Sequence, residues 1–282
     1  MMTEVSALEL EHCRELAVLP GSLFEFTSRF LPADRLEPML ALYALKQLIG
    51  SIPSAPTDDS VKWAKLKWWS EELVADSDSP SRHPVLRLLS ASGARAHLNN
   101  SMLQRLVNDA AMQIDTAANS DVEEMFERMA DAGATGIELE LALDAMEIDT
   151  HSLRFLGAAS MLFSLVSDFA ANNRSGVDRI PLNIMAKYNV SAAQLEQGAN
   201  PLEMERIVKS LAENCLEWFS AGLSGLQWGA GKGTCAHLQL SWAMTVRRLA
   251  AVTRDTNGFL DAGKRYGPAD AWHAWRFLRR LK

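Results

Sequence analysis

Read by its apolar positions, the chain is a succession of helices. In "PADRLEPMLALYALKQLI", Leu36, Leu40 and Tyr43 recur at helical spacing on one face, and Pro32 suits a first turn. "TDDSVKWAKLKWWSEELV" sets capping residues ahead of Val61, Leu66 and Trp69. From Val85 to Ile180 there is no proline, and Leu, Met and Ala recur at helical spacing. "ANPLEMERIVKSLAENCLEWFSAGL" and "CAHLQLSWAMTVRRLAAVTRDT" predict two further long helices. No alternating β-branched run bounded by turn residues predicts a strand. The breaks, such as "GSIPSAPTD", "DSDSPSRHP", "NNRSGVDRIP" and "EQGANP", are too short for domain linkers. The prediction is one all-α domain over residues 1–282, a helical bundle.

Composition narrows the function classes. The chain is 48% hydrophobic, enough for a large core, and carries a formal charge of −7. That balance gives no overall pull toward nucleic acid. Cys13, Cys215 and Cys235 are widely spaced, without a zinc or redox pattern, which fits a reducing cytoplasmic compartment. The start "MMTEVSALELEHCREL" is acidic and amphipathic, unlike a signal peptide. "FLGAASMLFSLVS" reads as a buried core helix, too short to span a bilayer.

Several local motifs carry little chemistry. "GAGKGT" lacks the leading glycine of a phosphate loop, since Leu226 stands there, and Gly233 replaces the following Ser or Thr. It reads as a turn between helices. Asp58 and Asp59 cap a helix. "KWAKLKWW" reads as an amphipathic helix with inward tryptophans rather than a nucleic-acid surface. The six histidines pair with no cysteine or serine in a catalytic pattern.

Taken in order, longer fragments are more specific. "GSLFEFTSRFLPADRLEPMLALYALKQLI" is followed by "VKWAKLKWWSEEL" and "HPVLRLL", and later by "FLGAASMLFSLVSDFAANNRSGVDRIPLNIMAKYNVSAAQL" and "AMTVRRLAAV". This order resembles the squalene/phytoene synthase family. The resemblance implies an all-α isoprenoid-synthase-like bundle around a central cavity, built to join isoprenyl diphosphates. Family members hold Mg²⁺ with aspartates four residues apart on two facing helices, where the ions neutralise the leaving pyrophosphate.

At the first matching motif this chain has Gly50 and Ser54 in place of the aspartates, Gln47 in place of an arginine, and a helix-disturbing Pro53. At the second it has Met161, Ser164, Ser167, Asp168 and Asn172, and only Asp168 keeps a carboxylate. The resemblance places Tyr43, Gln47, Gly50 and Ser54 on one cavity wall, facing Met161, Ser164, Asp168 and Asn172. No catalytic or metal-binding set is expected.

A non-catalytic member would bind an isoprenoid, lipid or quinone-like tail, or serve as an assembly surface. It resembles a branch associated with respiratory complex I assembly. The alternative is an active prenyltransferase with an altered site, in which Lys46, Arg174, Arg179 and Lys187 neutralise diphosphate; Mg²⁺ is expected only there. The closing segment "DAWHAWRFLRRLK" is aromatic and basic. It suits a protein partner or a membrane surface, making the protein peripheral to the membrane, or else docking of the helix on its own fold.

Overall fold

The computed structural model describes residues 6–75, 81, 83–114, 118–170, 179–197, 201–224, 226, 234–257 and 266–280. Every regular element among them is helical. In chain order these are α1 (Ala7–Ala17), α2 (Leu23–Thr27), α3 (Ala33–Gly50), α4 (Asp59–Ala75), α5 (Pro84–Ala91), α6 (Asn100–Met112) and α7 (Val122–Ala142). Then come α8 (Thr150–Ala170), α9 (Leu182–Lys187), α10 (Ala192–Glu196), α11 (Pro201–Ser224), α12 (Thr234–Arg254) and α13 (Pro268–Arg280).

Local chemistry sets the starts. Ser6, Ser22, Asn99, Asp121 and Ser191 each accept a hydrogen bond from the backbone N–H three residues on. This satisfies one of the donors that a helix start leaves open. Helix α3 ends at Gly50, and the N–H of Ser51 bonds back to Gln47 and Ile49. A proline disfavours helical geometry in the residue before it, so Pro53 sits just past a natural stop. Asp59 opens α4 and pairs with Lys62 at 2.9 Å.

Two apolar cores result. One joins α1, α3, α4, α5 and α6 around Met39, Leu42, Leu45, Leu86 and Leu89. The other joins α7, α8, α11 and α12 around Leu156, Leu162, Val166, Leu211 and Phe219. Helix α8 lies between α7 and α11, and glycines let the axes approach. A Cβ on Gly133 would lie 2.6 Å from the Cα of Gly157, and one on Gly222 2.8 Å from Leu156 Cγ. Helix α8 as a whole is long and apolar enough to cross a membrane, although the uncharged stretch within it is shorter. The helix extends beyond the uncharged stretch at both ends, and 67% of its apolar window is buried in the protein, as a core helix requires.

A small third cluster docks α13. Ala274, Phe277 and Leu278 pack with Phe26, Leu240 and Met244, and Arg247 pairs with Asp270 at 3.3 Å.

Candidate functional site

Between the two cores lies a cavity of about 530 Å³, walled by α2, α3, α6, α7, α8 and α12. That volume is within the usual range of small-molecule sites. Leu106, Ile137, Phe163, Leu165 and Trp242 supply much of its apolar lining. Gly50 and Ser164 line it and are solvent-exposed, so they stand near its mouth.

The charged lining is mixed: Lys46, Arg179 and Arg248 against Asp109, Glu140 and Asp168. Lys46 is the centre of one wall. Its Nζ lies 2.6 Å from Glu140 Oε1, donates to the Gly136 carbonyl at 3.2 Å, and sits 4.6 Å from the Tyr43 ring centre. Glu140 is 2% exposed. A buried carboxylate is costly unless paired, and Lys46 provides the pairing. Burial first, and the Glu140 carboxylate second, push the Tyr43 hydroxyl well up, so it stays protonated.

Behind Glu140 stands His237 on α12. Its Nε2 is 2.9 Å from the Thr27 hydroxyl, which itself donates to the Leu23 carbonyl at 2.9 Å. Thr27 has one hydrogen to give, so His237 must donate from Nε2 and leave Nδ1 as an acceptor. Burial lowers the His237 pKa from 6.5 to about 4, against the raising effect of Glu140. On the opposite wall burial raises the Asp109 carboxyl above its usual range, while the Thr135 hydroxyl partly offsets this.

The structure brings Tyr43, Lys46, Gly50, Met161, Ser164, Asp168 and Arg179 to one cavity. Gln47 and Ser54 are not there, which corrects the expected wall. Gln47 is exposed on the flank of α3, because Tyr43, Lys46 and Gly50 take the inward positions. Ser54 lies beyond the end of α3, exposed, with its hydroxyl donating to Ser51 O. The helical spacing that joined it to Gly50 stops with the helix. Lys187 is exposed at the end of α9, over the Tyr188 ring, and lines no part of the cavity. Asn172, Arg174 and the glycines of "GAGKGT" fall outside the described residues.

Sequence reasoning missed Glu140, Asp109, His237 and Ser241. A signal existed for Glu140. It continues the inward stripe Met125, Met129, Gly133 and Gly136, where an unpaired carboxylate would be unfavourable. Asp109, His237 and Ser241 carry no comparable signal, since their neighbours come from distant elements.

The donors present do not fit the family's magnesium cluster. The α3 wall offers a phenol, an ammonium and a bare glycine opposite Asp168, and the ammonium already holds Glu140. Magnesium needs several oxygen ligands in close octahedral array. No three His, Cys, Asp or Glu among the described residues are close enough to share an ion. Nor is there an activated thiol on described side chains. Cys13 and Cys215 are buried, and burial pushes the Cys13 thiol up to about 11 and Cys215 well above its usual value.

On the outer surface, α13 exposes Trp272 (59%) and Trp275 (43%), stacked with ring centres 5.0 Å apart. The Arg279 guanidinium lies 4.6 Å from the Trp275 ring centre.

Comparison with solved structures finds the same architecture. A dehydrosqualene synthase in complex with ligand superposes with a TM-score of 0.69 at 13% identity, covering 97% of this chain and 95% of that one. Squalene synthase HpnC from Alicyclobacillus acidocaldarius gives 0.67 at 17% identity, covering 87% and 93%. The helical bundle is thus that of the isoprenoid synthases. No curated protein sequence matches. The family description Squalene/phytoene synthase matches residues 20–268, so the chain belongs to the squalene/phytoene synthase family.

Proposed function

We propose that this member is a non-catalytic binder of an isoprenoid or lipid tail. The observation that carries this reading is the α3 wall. Gly50 leaves open space, with nothing within 4 Å of where a side chain would begin, and Lys46 one turn earlier turns an ammonium to the cavity. The ionising step of isoprenyl condensation needs positive charge on the leaving diphosphate and several carboxylates to hold the metal that brings it. Asp168 alone on the facing helix supplies one. The apolar chamber needs no such ligands to hold a hydrocarbon chain.

The test is a product assay of purified protein with Mg²⁺ and labelled farnesyl and geranylgeranyl diphosphates. No condensed product is expected. Product from the wild type that disappears in Asp168→Ala would overturn the reading in favour of an altered-site enzyme.

A second reading concerns α13. We propose that its outer face docks on an anionic lipid surface. Trp272, Trp275, Arg276 and Arg279 share that face within about one turn to either side, while the helix's own Asp270 is turned in toward Arg247. Tryptophan suits the bilayer interface and arginine suits anionic headgroups, although the whole chain has a formal charge of −7. Co-sedimentation with phosphatidylcholine vesicles, with and without phosphatidylglycerol, checks this. Binding is expected only to the anionic vesicles, weakened by salt and lost in the Trp272→Ser, Trp275→Ser double variant. Equal binding by that variant, or none by the wild type, would refute it.

A further inference from the structure

The polar end of the cavity has an excess of hydrogen-bond acceptors. Glu140 gives Oε1 to Lys46, and the Tyr43 hydroxyl also faces the carboxylate, but no donor lies within hydrogen-bond geometry of Oε2. His237 Nδ1 lies 3.9 Å from that oxygen, also without a hydrogen-bond partner, and the Thr27 contact fixes it as an acceptor. Ser241 is one turn along α12 from His237, lines the cavity, is 7% exposed, and its Oγ likewise makes no hydrogen bond. Buried polar atoms are rarely left so, because each loses its hydration without return.

We infer that this end of the cavity recognises an uncharged, hydroxyl-bearing head on an apolar chain: an isoprenoid or lipid alcohol. The inference rests on the tail-binding reading above and names the head that accompanies the tail. A hydroxyl donates its hydrogen to Glu140 Oε2, and its oxygen can accept from Ser241. The chain then lies along Ile137, Phe163, Leu165 and Trp242. A diphosphate has the opposite character. It offers acceptors where the wall already has them, and it brings negative charge toward Glu140, Asp109 and Asp168. Of the lining cations Lys46, Arg179 and Arg248, the one at this end, Lys46, is already held by Glu140 at 2.6 Å. An ether of the same chain fills the same volume but offers no donor. Buried acceptors left unpaired discriminate strongly against a ligand that lacks the matching donor.

Calorimetric titration of the full chain with geranylgeraniol, geranylgeranyl methyl ether and geranylgeranyl diphosphate, the last with and without Mg²⁺, tests this. The alcohol is expected to bind at least about tenfold more tightly than the ether, the effect of one well-made hydrogen bond. It should also bind more tightly than the diphosphate in either condition. Glu140→Gln should narrow the gap between alcohol and ether while leaving ether affinity unchanged, whereas Ser241→Ala should weaken both, since either ligand oxygen can accept from Ser241. Glu140→Gln also removes the partner of Lys46, so the wild-type ratio of alcohol to ether affinity decides if that variant does not fold. Equal affinity for alcohol and ether would overturn the head assignment and leave tail binding standing. Tighter binding of the diphosphate would overturn it too. Binding of none of the three ligands would remove both readings.

Discussion

At the scale of single residues, two groups flank the buried Glu140 carboxylate, a neutral imidazole and an ammonium. His237 is kept neutral: its pKa falls from 6.5 to about 4, chiefly through burial. In the unfolded chain the imidazole takes a proton below its ordinary pKa, whereas the folded protein resists until about pH 4. Stability from this group is therefore complete above about pH 6.5 and is lost as pH falls toward 4. At about 1.4 kcal/mol per tenfold change, the loss across that window is roughly 3 kcal/mol. Urea unfolding at neutral pH and near pH 4.5 should show it, and His237→Gln, which can keep the Thr27 contact, should flatten the difference. An unchanged pH slope in that variant would place the acid sensitivity elsewhere. Lys46 acts differently. Removing it in Lys46→Met leaves the Glu140 carboxylate buried without its ion pair. The expected cost is about 3–5 kcal/mol, read from the same denaturation curves. Lys46→Met together with Glu140→Leu should recover most of that loss, because an apolar pair needs no charge compensation.

Among the elements, the crossing of α7 and α8 sets the depth of the cavity. Gly133 and Gly157 face each other there, and a Cβ on either would overlap the other helix's backbone. Helix propensity alone favours Gly→Ala by about 1 kcal/mol. Overpacking against rigid backbone costs about 1–3 kcal/mol or more, so the crossing should win. Gly133→Ala and Gly157→Ala are expected to lower Tm, while Gly50→Ala, which meets nothing within 4 Å, should be neutral or slightly stabilising. Differential scanning calorimetry of the three variants checks the order. This crossing also marks where the sequence stops being legible. Leu36, Leu40 and Tyr43 announced α3, and the apolar run before Asp168 announced α8, because helical periodicity is local. The end of α3 was less clear, although Pro53 hinted at it, and so Ser54 was placed on a wall it does not reach. The Gly133–Gly157 contact and the Glu140–His237 approach depend on which helices meet. Nothing within a window of neighbouring residues encodes that. Tyr43, Gly50, Met161, Ser164 and Asp168 could thus be assigned from family spacing, while the polar centre of the cavity emerged only from the packing.

For the whole molecule, the cavity separates one core from the other. The α1–α6 cluster and the α7–α12 cluster meet across a chamber with apolar walls. A ligand in that chamber completes the packing of both, and binding to the folded state alone raises stability by mass action. With free ligand at about a hundred times Kd, the gain is about 2.7 kcal/mol. A domain of this size responds by roughly 2–4 °C per kcal/mol, so Tm should rise by roughly 5–10 °C. The mouth supplies the control. Gly50 lines the mouth and nothing lies within 4 Å of where its side chain would begin, so Gly50→Phe is expected to place its ring in the entrance. The ligand-free Tm of Gly50→Phe should stay close to wild type, because no buried contact is disturbed. Its rise with geranylgeraniol should be lost, because the ring occupies the way in. Thermal unfolding of both proteins across a ligand titration measures this. An equal rise in the two would mean that the alcohol stabilises the protein from some other surface, and that the chamber between the cores is not where it binds.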